Sequence, residues 1–272
     1  MTPPGRLRSS GPSSGGPLEG RTIVITRPAE RSGHLVAAIE ALGGRAILAP
    51  SIQVRPARSA ALTAALKDLA AGRYDWVLLT SPSTVAMLAE RLPDASRVRA
   101  KLAAIGDGTA DAFARYAGRP ADLRPRSFTT EGLARSFPMG EGRVLCPRAD
   151  IAPEGLEDAL AAKGWTPTRV DAYRTVFPKA LPAAARDALA AGSADAVTFT
   201  SASTVRGFVG ALGVVKGTPR IVCIGPVTAR EAREHGFRVH AVANPHTTEG
   251  LVQALVRALP AQPPAQPRAQ SR

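Results

Sequence analysis

A lag of about 120 residues runs through the chain and constrains its fold more than any other feature. Asp75-Trp76-Val77-Leu78-Leu79-Thr80-Ser81-Pro82-Ser83-Thr84-Val85 returns as Asp195-Ala196-Val197-Thr198-Phe199-Thr200-Ser201-Ala202-Ser203-Thr204-Val205, 120 residues later. Ile105-Gly106-Asp107-Gly108-Thr109-Ala110 returns at an offset of 119 as Ile224-Gly225-Pro226-Val227-Thr228-Ala229, and Thr129-Thr130-Glu131-Gly132-Leu133 at 118 as Thr247-Thr248-Glu249-Gly250-Leu251. Solenoid units repeat every ~20–50 residues, so a lag this long means a duplicated domain. Each copy contains an apolar strand, small hydroxyl residues and then a helix. Two such edges facing each other make a cleft rich in hydrogen-bond donors.

Strand and helix patterns alternate around these repeats. A β-branched strand at 22–26, a helix over 31–42 closed by Gly43-Gly44 and a strand at 45–49 form a first unit, A. Unit B follows, with strands at 76–79 and 102–105, a short strand near Leu123, and helices beginning at Ser83, Thr109 and Thr130. Unit A returns as a strand at 143–146, a helix at 154–163 and a strand at 168–170, with Arg27 matching Arg148 and Gly43 matching Gly164. Unit B returns from Asp195 to about Val256. Such βαβ units imply parallel sheets with helices on both faces, and A plus B supplies the five strands of a flavodoxin-like sheet.

The order A-B-A-B leaves open which A packs with which B. Tandem pairing places the joint in residues 137–142, a turn of ordinary length inside an α/β domain. Swapped pairing places two joints at 50–56 and 171–178, both extended and proline-ended, which can pair as a ribbon. Composition favours the swap. The expected domains are then 20–51 with 178–257, a discontinuous first domain, and 54–174. Pro-, Ser- and Gln-rich residues 1–19 and 258–272 are expected to be disordered tails.

The hydrophobic content of 44 % suits a soluble globular chain, and no apolar run reaches the ~20 residues that span a bilayer. Residues 1–20 lack the apolar stretch of a secretory signal, so the cytoplasm is the expected compartment and no membrane partner is expected. A net charge of +13 raises nucleic acid as a partner, but the basic residues are scattered and aromatics amount to only 4 %, too few for base stacking. No nucleic-acid partner is therefore expected, and an anionic small molecule fits the charge as well. Cys146 and Cys223 cannot form a disulfide framework and read as small buried residues. The four histidines have no metal spacing, so no metal is expected.

The hydroxyl-rich loops carry the functional signal. Ser81, Ser83, Ser201 and Ser203 open helices at the carboxyl edge of the expected sheets, and Thr109, Thr228, Thr130 and Thr248 share that edge. One such loop is explained by helix capping alone, worth ~1 kcal/mol. Six matched sites on two copies favour a ligand, because ligands of open α/β sheets bind at this edge and helix N-termini attract anions. A polycarboxylate is the favoured class. Arg27 and Arg148 stand at equivalent strand ends, where a guanidinium grips a carboxylate or forms a surface ion pair. Gly106-Asp107-Gly108 lacks the third glycine and first-strand position of a dinucleotide fingerprint. Tyr173 lies in the second joint, where a phenol donates a proton or simply packs.

Thr26-Arg27-Pro28, the strand-end Thr80-Ser81 and Thr200-Ser201 loops, the doubled Ile-Gly-x-x-Thr-Ala and Thr-Glu-Gly-Leu, and Tyr173-Arg174-Thr175 occur in an order that resembles the uroporphyrinogen-III synthases. The resemblance runs from about Arg21 to Val256. It implies two flavodoxin-like domains joined by a two-stranded β-ribbon, the first domain discontinuous, and a lyase that acts as a monomer without metal or cofactor. The implied reaction closes linear hydroxymethylbilane, an octacarboxylate, with loss of water and inversion of ring D. It further implies Tyr173 as the catalytic acid, with Arg27, Ser81, Ser83, Thr109, Thr130, Arg148, Ser201, Ser203, Thr228 and Thr248 holding substrate carboxylates. The rival readings are a non-catalytic two-domain receptor for a polycarboxylate and a nucleic-acid-binding regulator.

Overall fold

The computed structural model describes residues 16–213 and 219–259. The first sheet contains β1 (Thr22–Ile25), β2 (Arg45–Leu48), β8 (Ala196–Phe199), β9 (Arg220–Cys223) and β10 (Val239–Val242) in the order β10-β9-β8-β1-β2, all parallel. Numbered by their own chain order, these strands run 2-1-3-4-5 from β2, the flavodoxin-like arrangement. The second sheet contains β3 (Gln53–Pro56), β4 (Trp76–Leu79), β5 (Lys101–Ala104), β6 (Arg143–Ala149) and β7 (Thr166–Val176) in the order β3-β7-β6-β4-β5. Of these strands β3 alone is antiparallel, against the end of β7.

The swap expected from the repeats is therefore realised: β1 and β2 pair with strands from the far end of the chain. Strand β7 departs from the expected short strand plus separate joint. It stays extended for 11 residues, pairing parallel with β6 first and antiparallel with β3 last. Its Thr, Val and Tyr residues favour extension, and the change of partner coincides with a register shift against β6, where Arg148 pairs with Asp171 and Ala149 with Tyr173. The strand expected near Leu123 is reduced to an isolated bridge to Ala103. Pro120 and Pro125 flank it, and proline has no N–H to extend a ladder.

The helices are α1 (Gly33–Glu40), α2 (Ala60–Ala70), α3 (Pro82–Arg91), α4 (Asp107–Ala117), α5 (Thr130–Ser136), α6 (Leu156–Ala161), α7 (Ala183–Ala190), α8 (Ala202–Leu212), α9 (Pro226–Glu234) and α10 (Thr248–Ala258). Every residue of β4 and β8 is buried, as befits central strands covered on both faces. On the first sheet, α1 and α10 supply Leu35, Ile39, Leu251 and Leu255 to one core, while α7 to α9 supply Leu189, Val205, Phe208 and Ala232 to the other. On the second, Leu62, Leu69, Leu88 and Phe113 of α2 to α4 fill one face, and Leu133, Leu156 and Leu160 of α5 and α6 fill the opposite face.

Helix α1 starts later than expected because Ala29–Arg31 form a 3-10 turn, and α6 starts later because Gly155 takes a φ of 92°. Gly43 and Gly164 close the two equivalent helices with φ of 82° and 95°, a region in which a Cβ is strained. Leu18, inside the expected tail, is fully buried and its N–H reaches the Leu42 carbonyl, so the packed structure begins before residue 20. Leu259 is also buried, while residues 1–15 and 260–272 of the expected tails lie outside the described residues.

Candidate active site

The carboxyl ends of both sheets run into helix N-termini, and the expected hydroxyl groups sit there. Ser81 Oγ accepts the Thr84 N–H at 3.2 Å, and Ser201 Oγ accepts the Thr204 N–H at the same distance. Their neighbours differ: Ser81 Oγ lies 2.8 Å from Thr84 Oγ1, whereas Ser201 Oγ lies 2.9 Å from Ser203 Oγ. Thr109 and Thr228 occupy the third positions of α4 and α9 and are almost completely buried.

Thr130 and Thr248 are the first residues of α5 and α10, but the caps fall one residue earlier. Thr129 Oγ1 accepts from Gly132 N–H at 3.0 Å, and Thr247 Oγ1 accepts from Gly250 N–H at 3.2 Å. This explains the repeated Thr-Thr-Glu-Gly. A Cβ on Gly132 would stand 2.2 Å from the Ser127 carbonyl oxygen, and one on Gly250 1.9 Å from that of Pro245. Only glycine lets each loop fold so closely over its helix.

The two edges face each other. The Phe128 and His246 rings meet edge to face with centroids 5.9 Å apart. These two residues are themselves repeat partners at the 118-residue offset, so equivalent positions of the two copies touch here. Arg31, from the first lobe, donates to Ser83 Oγ on α3 of the second. Arg230 of α9 draws Glu131 of α5, which its own backbone N–H chiefly holds below the usual carboxylate range.

Tyr173 arrives from the ribbon. Its hydroxyl lies 3.0 Å from Ser81 Oγ, and its Cα is in register with Pro56 of β3. In the first copy of unit A the equivalent position, 121 residues earlier, is the buried Ile52. The phenol is thus an asymmetric feature of an otherwise duplicated site.

The matched arginines differ more sharply. Arg148 is fully buried, and its Nη1 lies 3.1 and 3.0 Å from the two carboxylate oxygens of Glu157, in the first turn of α6. Its Nε is buried without a hydrogen-bond partner among the described residues. The expected carboxylate grip exists here, but on a carboxylate of the protein itself. Arg27 instead reaches Thr248 Oγ1 at 3.4 Å. Burial, and then the neighbouring Arg31 guanidinium, lower its pKa from the usual arginine value.

Cavities of about 470 Å³ beside Arg58, Ser59 and Arg91, and of about 260 Å³ beside Arg21, Asp195 and Arg220, share none of these residues. The candidate site is the seam between the facing edges, where donors from both lobes converge. Among the described residues no cluster of His, Cys, Asp or Glu has the makings of a metal site, and no helix is long and apolar enough to cross a membrane.

The family model for uroporphyrinogen-III synthase HemD matches residues 33–253. The chain belongs to the uroporphyrinogen-III synthase family. It is 32 % identical to the uroporphyrinogen-III synthase of Synechococcus elongatus, over 88 % of this chain and 95 % of that one. A putative uroporphyrinogen-III synthase of Methanothermobacter thermautotrophicus is also 32 % identical, over 79 % of this chain and 90 % of its own. Among solved structures, a mutant uroporphyrinogen III synthase from Thermus thermophilus superposes with a TM-score of 0.65 at 22 % identity, covering 88 % of this chain and 98 % of that one. The fold of the family is thus reproduced at low identity.

Within this member of the family, residue patterns left Thr129, Thr247, Phe128, His246 and Arg31 unnoticed as site residues. The offset of 118 that links Phe128 to His246 was a usable signal, because duplicated edges that face each other bring equivalent residues together.

Proposed function

We propose that this chain carries out the family's reaction, closing linear hydroxymethylbilane to uroporphyrinogen III. The hydroxyl on the ring A methylene leaves as water after accepting a proton, giving an azafulvene cation. The substituted α-carbon of ring D attacks it to form a spiro intermediate. Fragmentation and recombination through the other α-carbon of that ring invert it, and loss of the α-proton restores the pyrrole. The observation that carries the assignment of roles is the Tyr173 hydroxyl, placed 3.0 Å from Ser81 at the meeting of ribbon and cleft. Tyr173 is the proposed acid for the departing hydroxide.

Side chains and helix-end N–H groups around Arg27, Ser81, Ser83, Thr109, Thr130, Ser201, Ser203, Thr228 and Thr248 are the proposed holders of carboxylates. Arg148 shapes the edge through Glu157. The substrate also closes unaided to the uninverted isomer, so the enzyme must steer; a hundredfold preference needs only ~2.7 kcal/mol of barrier difference. Positioning of the pyrroles by their acid arms is a sufficient source. We further assign the lobes to residues 20–51 with 178–257 and to 54–174, and read the protein as a monomer because one chain supplies both faces of the cleft.

The test supplies hydroxymethylbilane and separates the isomers. Type III product above the spontaneous background is the expected result; type I alone, at the spontaneous rate, overturns the assignment.

A further inference from the structure

The duplicated strand-end arginines have diverged in what surrounds them. Arg148 has Glu157 nine residues on, and the pair closes on itself beneath α6. At the repeat offset of 121, the position equivalent to Glu157 is Val36, and the position equivalent to Ala152 is Arg31. The first copy therefore has no carboxylate at this position and has a second guanidinium instead. Leu35 with Leu156, and Ile39 with Leu160, keep the two helices in the same register, with all four residues buried.

As a result, Arg27 and Arg31 sit together with only hydroxyl partners among the described residues, Thr248 for one and Ser83 for the other. Of the carboxylates in that corner, Glu249 is engaged by its own N–H, by Thr247 and by His34, and the exposed Glu30, beside Arg31 in the 3-10 turn, forms no ion pair with either arginine among the described residues. Two adjacent, partly buried guanidinium groups with no carboxylate between them are an unbalanced arrangement that a bound carboxylate completes.

We propose that Arg27 and Arg31 jointly bind one carboxylate of the substrate at the seam between the lobes, and that Arg31 exchanges Ser83 for it. This deepens the tetrapyrrole reading and rests on it. The pair gives the cleft a polarity along which the eight acid arms are sorted, since the opposite lobe has neutralised its own arginine.

The test compares wild type with Arg31→Gln, Arg31→Lys and Val36→Glu. Two readouts are used: turnover of hydroxymethylbilane, and calorimetric binding of uroporphyrinogen III kept reduced. Arg31→Gln retains a donor for Ser83 but no charge, and is expected to raise Kd and KM about tenfold while kcat changes less than about twofold. Arg31→Lys restores most of the affinity. Val36→Glu recreates the internal counterion and weakens binding in the same sense as Arg31→Gln, with the native melting transition checked for each variant. Wild-type protein that binds uroporphyrinogen III and yields the type III isomer, with Arg31→Gln within about twofold of it in Kd, overturns the arginine assignment alone. Wild-type protein that does neither overturns both readings.

Discussion

The Tyr173 hydroxyl lies 3.0 Å from Ser81 Oγ, which ties the last strand of the ribbon to the first turn of α3. Ser81 meanwhile accepts the Thr84 N–H, so the phenol is oriented by a group that is itself fixed by a helix end. Replacing Tyr173 with Phe removes the proton and keeps the ring. Turnover of hydroxymethylbilane to the type III isomer should fall by about 10²-fold, the usual size of a general-acid contribution, with the melting temperature little changed. Wild-type turnover in that variant would end the acid role.

Gly132 and Gly250 lie in tight loop-to-helix contacts of the site. A methyl group at either position meets a backbone carbonyl at 2.2 or 1.9 Å, and a carbonyl cannot rotate away as a side chain does. Gly132→Ala and Gly250→Ala should each destabilise the protein by about 1–3 kcal/mol, read from denaturant unfolding. They should also weaken substrate binding, because the Thr129 and Thr247 caps move with the loops. An unchanged midpoint for both variants would show that the loops shift freely.

Cys146 and Cys223 are buried, and burial pushes both thiols up to about 12. At neutral pH they are protonated, and a thiol is a poor nucleophile. Native protein should therefore resist iodoacetamide at both positions, and both should be labelled once it is unfolded. Intact-mass measurement before and after denaturation decides this; rapid labelling of the native protein would contradict the burial.

His240 on β10 accepts the Ile221 N–H through Nδ1 at 3.0 Å, a bond that protonation removes. Burial first, and then Arg220 and Arg238, lower its pKa from the ordinary value of 6.5. Because the folded pKa lies below the unfolded one, its contribution to stability is complete above pH 6.5 and is lost as pH falls through the folded value. Unfolding free energy should decline with acid below that point, and His240→Gln should flatten this part of the profile. Equal slopes in wild type and variant would rule out His240 as its source.

Much of the architecture could be read from the repeat alone. The steady offset defined which segments were equivalent, and the proline-ended joints at both crossings pointed to the swapped pairing. The sequence was less informative where one extended segment served two partners: β7 passes from β6 to β3 without a break that residue types would mark. Arg148 shows a second kind of opacity. Its partner is Glu157 in the first turn of α6, brought back to the strand end by the loop between β6 and α6. The signal was nevertheless present, as a carboxylate at 157 against a valine at 36. Thr129 and Thr247 were obscured by doubled threonines, where only loop geometry decides which one caps.

The crossed pairing of strands also has a consequence for synthesis. The second lobe draws its sheet from a continuous stretch, β3 through β7, and can close while the ribosome is still at work on the rest. The first lobe cannot: β1 needs β8, and Arg21 meets Asp195 across 174 residues of chain. The amino-terminal strands emerge first yet settle last, held waiting by a domain that matures between them and their partners.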